Sequence, residues 1–192
     1  GSTTGTVSFT PTDDSLYDAT SNETATIAIS GVSGGSASES GTQSVTITIT
    51  DNESAPTVTL ATSGTSIAEN SASTLTITAT LSVATYQDVT VSIGSSGTAT
   101  EGTDYGTVSD ITISAGSTTG TATFDPTDDS AETDTVTATL AITGVSGGSA
   151  SESGSQSVTI SILDDESVPR VSLSVSASSI AENAGSSLTL TA

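Results

Sequence analysis

Between residues 74 and 81 the chain reads Thr-Leu-Thr-Ile-Thr-Ala-Thr-Leu, and between 134 and 142 Asp-Thr-Val-Thr-Ala-Thr-Leu-Ala-Ile. Strict alternation of this kind predicts strands with Thr on one face and Val, Ile, Leu or Ala on the other. β-branched residues suit such a half-buried pleated surface. Extended along the chain, the alternation predicts strand A near 57–61 with a continuation to 67, then B at 73–82 and C at 87–94. D follows at 110–114, E at 119–125, F at 134–143 and G at 156–163. Seven strands of this length separated by Gly, Ser and Asp turns predict an all-β fold, an immunoglobulin-like antiparallel β-sandwich. The inward positions are Leu75, Ile77, Leu81, Val89, Val91, Ile93, Ile111, Ile113, Phe124, Val136, Leu140, Ile142, Val158, Ile160 and Ile162, a core with Phe124 as its one aromatic.

The pattern also repeats. Gly-Val-Ser-Gly-Gly-Ser-Ala-Ser-Glu-Ser-Gly stands at 31–41 and again at 144–154, and Ser-Ile-Ala-Glu-Asn at 66–70 and again at 179–183, both 113 residues apart. Gly-Ser-Thr-Thr-Gly-Thr at 1–6 returns at 116–121, so the first copy carries two extra residues between Asp14 and Glu23. A period of domain size predicts a tandem array. Residues 1–54 are then the C-terminal part of one copy (strands E to G), 55–167 a complete copy, and 168–192 the start of the next (strands A and B). The inward residues of the partial copies, Phe9, Ile27, Ile29, Val45, Ile47, Leu173, Ile180 and Leu188, are expected to be covered by neighbouring copies in an array or fibre.

Composition removes most chemistry. The 192 residues contain no Cys, His, Met or Trp, and Arg170 is the one basic side chain. No imidazole base, thiolate or soft-metal site can be built. A net charge of −21 with a single cation excludes nucleic acid as a partner, because counterion release needs basic groups. No apolar run is long enough to span a membrane, and no signal segment is visible; the stretch is expected to come from within a longer precursor. Low aromatic content and high charge would otherwise favour disorder, which the alternation argues against.

Strand parity gathers the acids. The A–B, C–D and E–F loops and the end of G share one pole. Onto it fall Glu69, Glu101, Asp104, Asp128, Asp129, Glu132, Asp134, Asp164, Asp165 and Glu166, while the opposite pole has only Asp88 and Glu152. Two carboxylates about 6 Å apart repel by roughly 1–3 kcal/mol. Several such pairs rival a domain's whole stability of about 5–15 kcal/mol, so protons or cations must neutralise them. Oxygen ligands on loops suit Ca2+, which takes about six to eight of them.

Ser-Ile-Ala-Glu-Asn, Gly-Thr-Ala-Thr-Glu-Gly-Thr-Asp-Tyr at 97–105, Asp-Asp-Ser at 128–130 and the closing Asp-Asp-Glu together resemble the Calx-beta domain over the whole chain. The resemblance implies an immunoglobulin-like sandwich that binds Ca2+ at the acidic pole. It implies as ligands Glu69, Asp104, Asp128, Asp129, Asp164 and Asp165, with Glu132 or Asp134 replacing a family Glu near the start of F. In the partial copies the corresponding acids are Asp13, Asp14, Asp18, Glu23, Asp51 and Glu182.

The expected role is a calcium-binding structural repeat of an extracellular surface protein, adhesin or fibre, with Ca2+ stiffening the inter-domain junction and no enzymatic activity. Its partners would be neighbouring repeats or copies of the same protein, and cell-surface or matrix ligands. The competing readings are a glycan- or protein-binding adhesion module with structural calcium, a Ca2+-sensing regulatory domain, and a merely solvated acidic face that caps turns. The repeated Gly/Ser-rich segment reads as a flexible hairpin loop duplicated with its domain.

Overall fold

The computed structural model describes residues 1–18, 23–183 and 185–192. Among them every helix or strand is a strand. Three precede residue 57: β1 (Leu16–Tyr17), β2 (Glu23–Ala28) and β3 (Ser44–Ile49). The central copy carries β4 (Thr57–Thr62), β5 (Ser66–Ala68), β6 (Leu75–Leu81), β7 (Ala84–Thr85), β8 (Val89–Gly97), β9 (Ile111–Ile113), β10 (Thr119–Phe124), β11 (Val136–Ser146), β12 (Ser151–Glu152) and β13 (Ser157–Leu163). β14 (Ser174–Val175) and β15 (Leu190–Thr191) follow.

Two sheets face each other. One runs β10-β6-β4-β12 and the other β5-β13-β11-β8-β9. This is an immunoglobulin-like sandwich in which the first strand is shared between sheets. Its first half, β4, pairs antiparallel with β6; its continuation, β5, crosses over and pairs parallel with β13. The crossing is tight at Gly64, where a Cβ would approach the Leu75 side chain at 3.0 Å. It places Ile67 in the core and Glu69 beside the end of β13, where the Glu69 N–H donates to the Leu163 carbonyl at 2.9 Å.

The alternation sorts the side chains as expected. Ile77, Val89, Val91, Ile111, Ile113, Phe124, Leu140 and Ile160 are completely buried, and Leu75, Ile93, Val136 and Val158 pack on the rim. Burying such a side chain contributes about 1.5–3 kcal/mol. On the outer faces Thr pairs across strands: the Thr139 and Thr159 hydroxyls lie 3.0 Å apart, and those of Thr26 and Thr46 3.2 Å apart. The hairpin of β2 and β3 has the register of β11 and β13. Ala25 faces Ile47 as Ala138 faces Ile160.

Two expectations are corrected. The core holds a second aromatic, since Tyr105 from the C–D loop is wholly buried and stacks on Phe124 with ring centroids 4.7 Å apart. Alternation could not find it because Tyr105 lies outside any regular strand. Nor is the repeated Gly/Ser-rich segment a floppy loop. In both copies its backbone turns back on itself, Ala37 N–H to the Gly34 carbonyl at 3.1 Å and Ala150 N–H to the Gly147 carbonyl at 3.0 Å. Ser36 and Ser149 both sit at positive φ, 55° and 50°. Glu39 accepts the Gln43 N–H and Glu152 the Gln156 N–H, each at 2.5 Å. A carboxylate accepting a backbone donor inside its own loop fixes that loop locally, which is why two copies reach one conformation.

The partial copies leave apolar side chains open within the single chain: Phe9 is 42% exposed and Leu173 71%. Val7, Phe9, Ile27, Ile29, Val45 and Ile47 line one apolar groove. Their counterparts Phe124, Leu140, Ile142, Val158 and Ile160 are covered in the central copy by strands that residues 1–54 do not include.

The Tyr105 hydroxyl is buried without a hydrogen-bond partner. Leaving such a group unsatisfied costs about 1–3 kcal/mol, so Tyr105→Phe is expected to leave thermal stability unchanged or raise it. A loss of more than about 1 kcal/mol in a denaturant melt would show that the hydroxyl is satisfied.

Candidate metal centre

Glu69 is the anchor of the acidic pole. The parallel β5–β13 ladder runs Ser66, Ile67 and Ala68 beside Ser161, Ile162 and Leu163, delivering Glu69 to the point where β13 releases the Asp164-Asp165-Glu166 run. Its side chain is 8% exposed, and Oε1 has no hydrogen-bond partner. The facing Glu166 carboxyl likewise keeps Oε2 buried and unpartnered. One carboxylate oxygen each from Glu69, Asp128, Asp165 and Glu166 lie within 4.8 Å of one another.

Anions crowded this closely, with Glu69 Oε1 and Glu166 Oε2 left without donors, must hold a proton or a cation. Burial, followed by the Glu166 carboxyl and then the charges of Asp129 and Asp164, pushes the Glu69 carboxyl up to about 7. Desolvation leads because the group sits at the sandwich edge rather than in water.

The surrounding acids brace the loops. Asp129 Oδ1 accepts the Ala131 N–H at 2.6 Å, closing an Asx turn, and Asp164 Oδ1 accepts the Thr133 N–H at 3.0 Å and its hydroxyl at 3.2 Å. Asp164 thereby ties the E–F loop to the end of β13. Asp165 Oδ2 accepts the Asn70 amide at 2.5 Å, which joins the A–B loop to the same point. Asp104 lies beside the cluster rather than in it: Oδ2 accepts the Thr100 N–H at 2.6 Å, while its carbonyl takes the Thr127 N–H at 3.0 Å, next to Asp128. Glu132 and Asp134 are exposed, and the residue of this loop that reaches Asp164 is Thr133.

Sequence reasoning placed Glu166 at the acidic pole but did not count it as a ligand. The run Asp-Asp-Glu offered the candidates, but a strand's alternation ends at Leu163 and does not say which of three consecutive acids turns inward.

The leading copy repeats the pole. Asp13, Asp14, Asp18, Glu23, Asp51, Asn52 and Glu53 surround a pocket of about 160 Å³, to which Tyr86 of the central copy contributes one wall. Asp51 Oδ2 accepts the Asp18 N–H at 3.3 Å, and the Asn52 amide, once turned over, can donate to Asp13 Oδ1 and Glu53 Oε2, each at 3.2 Å. Desolvation and the neighbouring Asp51 hold the Glu53 carboxyl above its usual range. Glu182, in the trailing copy, is exposed.

Fold and cluster together define an all-β sandwich with one carboxylate-rich pole. Among solved structures the chain is similar to the apo form of the Calx CBD1 domain, at 18% identity and a TM-score of 0.48, over 57% of this chain and 99% of that one. No family model matches the chain, and no curated protein matches it. Among the described residues no helix is long and apolar enough to cross a membrane.

Proposed function

We propose that this chain is a Calx-beta-type, calcium-binding structural repeat of an extracellular surface protein, adhesin or fibre, in which Ca2+ stiffens the junction between consecutive copies. The observation that carries the calcium reading is the buried, unpartnered Glu69 Oε1 facing Asp128, Asp165 and Glu166. A solvated acidic face would leave each carboxylate in water; this one takes an anion out of water and offers it no donor. Hard oxygen ligands from two loops and a strand end fit Ca2+, which tolerates irregular sets of about six to eight oxygens. Glu69, Asp128, Asp165 and Glu166 would hold the ion, with Asp129 and Asp164 close enough to contribute charge. Bound Ca2+ would supply positive charge that removes the repulsion and would tie the A–B and E–F loops to the end of β13.

The stiffening role follows from position. The acids end only a few residues before Pro169 and the start of the next copy, and Pro restricts both its own φ and the residue before it. The array and its neighbouring copies as partners belong to the same proposal, supported by the repeated register of the two hairpins. Small-angle scattering on two full repeats should show a longer maximum dimension with calcium than with chelator. Isothermal titration of the chain should show saturable binding that Glu69→Gln weakens at least tenfold. Absence of saturable binding would leave the solvated-face reading in its place.

A further inference from the structure

The segment that follows Asp14 in the leading copy does structural work that its acidic pocket does not explain. Leu16 and Tyr17 form a short strand running parallel to Ala84–Thr85 in the B–C turn of the central copy. The Tyr86 N–H points to the Tyr17 carbonyl at 3.4 Å, and the Tyr86 hydroxyl donates to Asp14 Oδ2 at 2.6 Å. Asp14 Oδ1 already accepts the Leu16 N–H at 2.8 Å. Both oxygens of this carboxylate are thereby engaged, one within the loop and one across the junction.

The receiving turn is rigid. Ala84 and Thr85 are buried, the Thr85 hydroxyl donates to the Gln87 carbonyl at 2.5 Å, and the Thr85 carbonyl accepts the Gly116 N–H at 2.8 Å. Gly148, in the F–G loop, packs so closely that a Cβ there would meet the Thr85 side chain at 2.9 Å. Three loops of the central copy therefore present one preformed strand edge, and an exposed edge is what an added strand recognises.

We propose that Asp14, Leu16 and Tyr17 of one copy and Ala84–Tyr86 of the next form a calcium-independent docking surface between consecutive copies. Asp14 then serves the junction and not the cation. In the central copy Asp129 makes the same turn, its Oδ1 accepting the Ala131 N–H, but the following positions are Ala131 and Glu132 in place of Leu16 and Tyr17. That loop lacks the apolar and aromatic side chains of Leu16 and Tyr17, so the copies are not interchangeable in the array.

The cysteine-free chain makes the test direct. Ladder partners on adjacent strands lie roughly 5 Å apart, within the range a disulfide spans. In the full chain, Leu16→Cys with Ala84→Cys is expected to oxidise at least tenfold faster than Leu16→Cys with Ser117→Cys, a position at the same pole outside the ladder. The rate should be the same in chelator and in calcium, and should fall several-fold when Tyr86→Phe or Asp14→Asn is added. Equal rates for the two pairs, a rate that requires calcium, or indifference to both added changes would each overturn the proposal. Amide exchange at Tyr86 in the cysteine-free chain gives a second readout. Leu16→Ala with Tyr17→Glu, the residues of the central copy, should raise it at least tenfold, and unchanged exchange would count against the surface. Calcium titration of the same samples reads the Glu69 site separately, so the two readings fail independently.

Discussion

The melting midpoint of the central copy is expected to rise on the order of 10 °C when calcium replaces chelator at neutral pH. Ligand at about 100 times its Kd adds roughly 2.7 kcal/mol per site, and each kcal/mol moves the midpoint of a domain of this size by several degrees. Here the effect has a specific origin. Without a cation, Glu69, Asp128, Asp165 and Glu166 are held within 4.8 Å by the meeting of β5, β13 and the E–F loop. Folding must then work against their repulsion. Asp128→Asn and Glu166→Gln should each raise the midpoint in chelator and reduce the gain from calcium. Differential scanning calorimetry of the full chain measures both quantities, and identical midpoints in calcium and chelator would end the calcium assignment.

In chelator the same copy should become more stable as the solution is acidified from about pH 8 to pH 5, against the usual behaviour of a carboxylate-rich protein. The sign follows from Glu69. Its carboxyl is raised from 4.5 to about 7 in the folded protein, so between those values the native state binds more protons than the unfolded one. Stability then falls with rising pH. The contribution of this group is fully present below about pH 4.5 and is lost as pH rises through about 7. Glu69→Gln, which keeps the shape and removes the charge, should flatten the profile and raise the midpoint in chelator at pH 8. Saturating calcium should flatten it as well, because the cation takes the proton's place. Asp14 works in the opposite direction, since its hydrogen bonds to Tyr86 and Leu16 hold its carboxyl below the usual range. A profile in chelator that falls with acidification and ignores Glu69→Gln would show that Glu69 is not the crowded group.

Much of this was legible in the residues. Period-two alternation placed β6, β8, β10, β11 and β13 and nearly all of their inward side chains, because a half-buried strand has only two faces and its polarity pattern names them. Parity placed Glu69, Asp128, Asp165 and Glu166 at one pole, because antiparallel strands must put alternate loops at the same end. The repeat fixed which segments are equivalent, and the matching registers of β2–β3 and β11–β13 are what near-identical local sequence produces.

Position along a strand is a local property; which loop side chains meet is not. Asp104, Asp128, Asp129 and Asp165 are alike in sequence, yet two of these four join Glu69 and Glu166 while Asp104 and Asp129 cap their own loops. Asp104 and Asp129 find donors within their own loops, whereas Glu69, Asp128, Asp165 and Glu166 meet only once the A–B and E–F loops pack against the end of β13. Tyr105 entered the core from a loop for the same reason, by finding the face of Phe124. The crossing of the first strand from β6 to β13, and the pairing of Leu16–Tyr17 with the next copy, join segments up to about a hundred residues apart. No local pattern carries such long-range partners. Alternation and charge determined the sandwich and its acidic end, and tertiary packing alone decided which carboxylates meet and that Glu69 among them is buried.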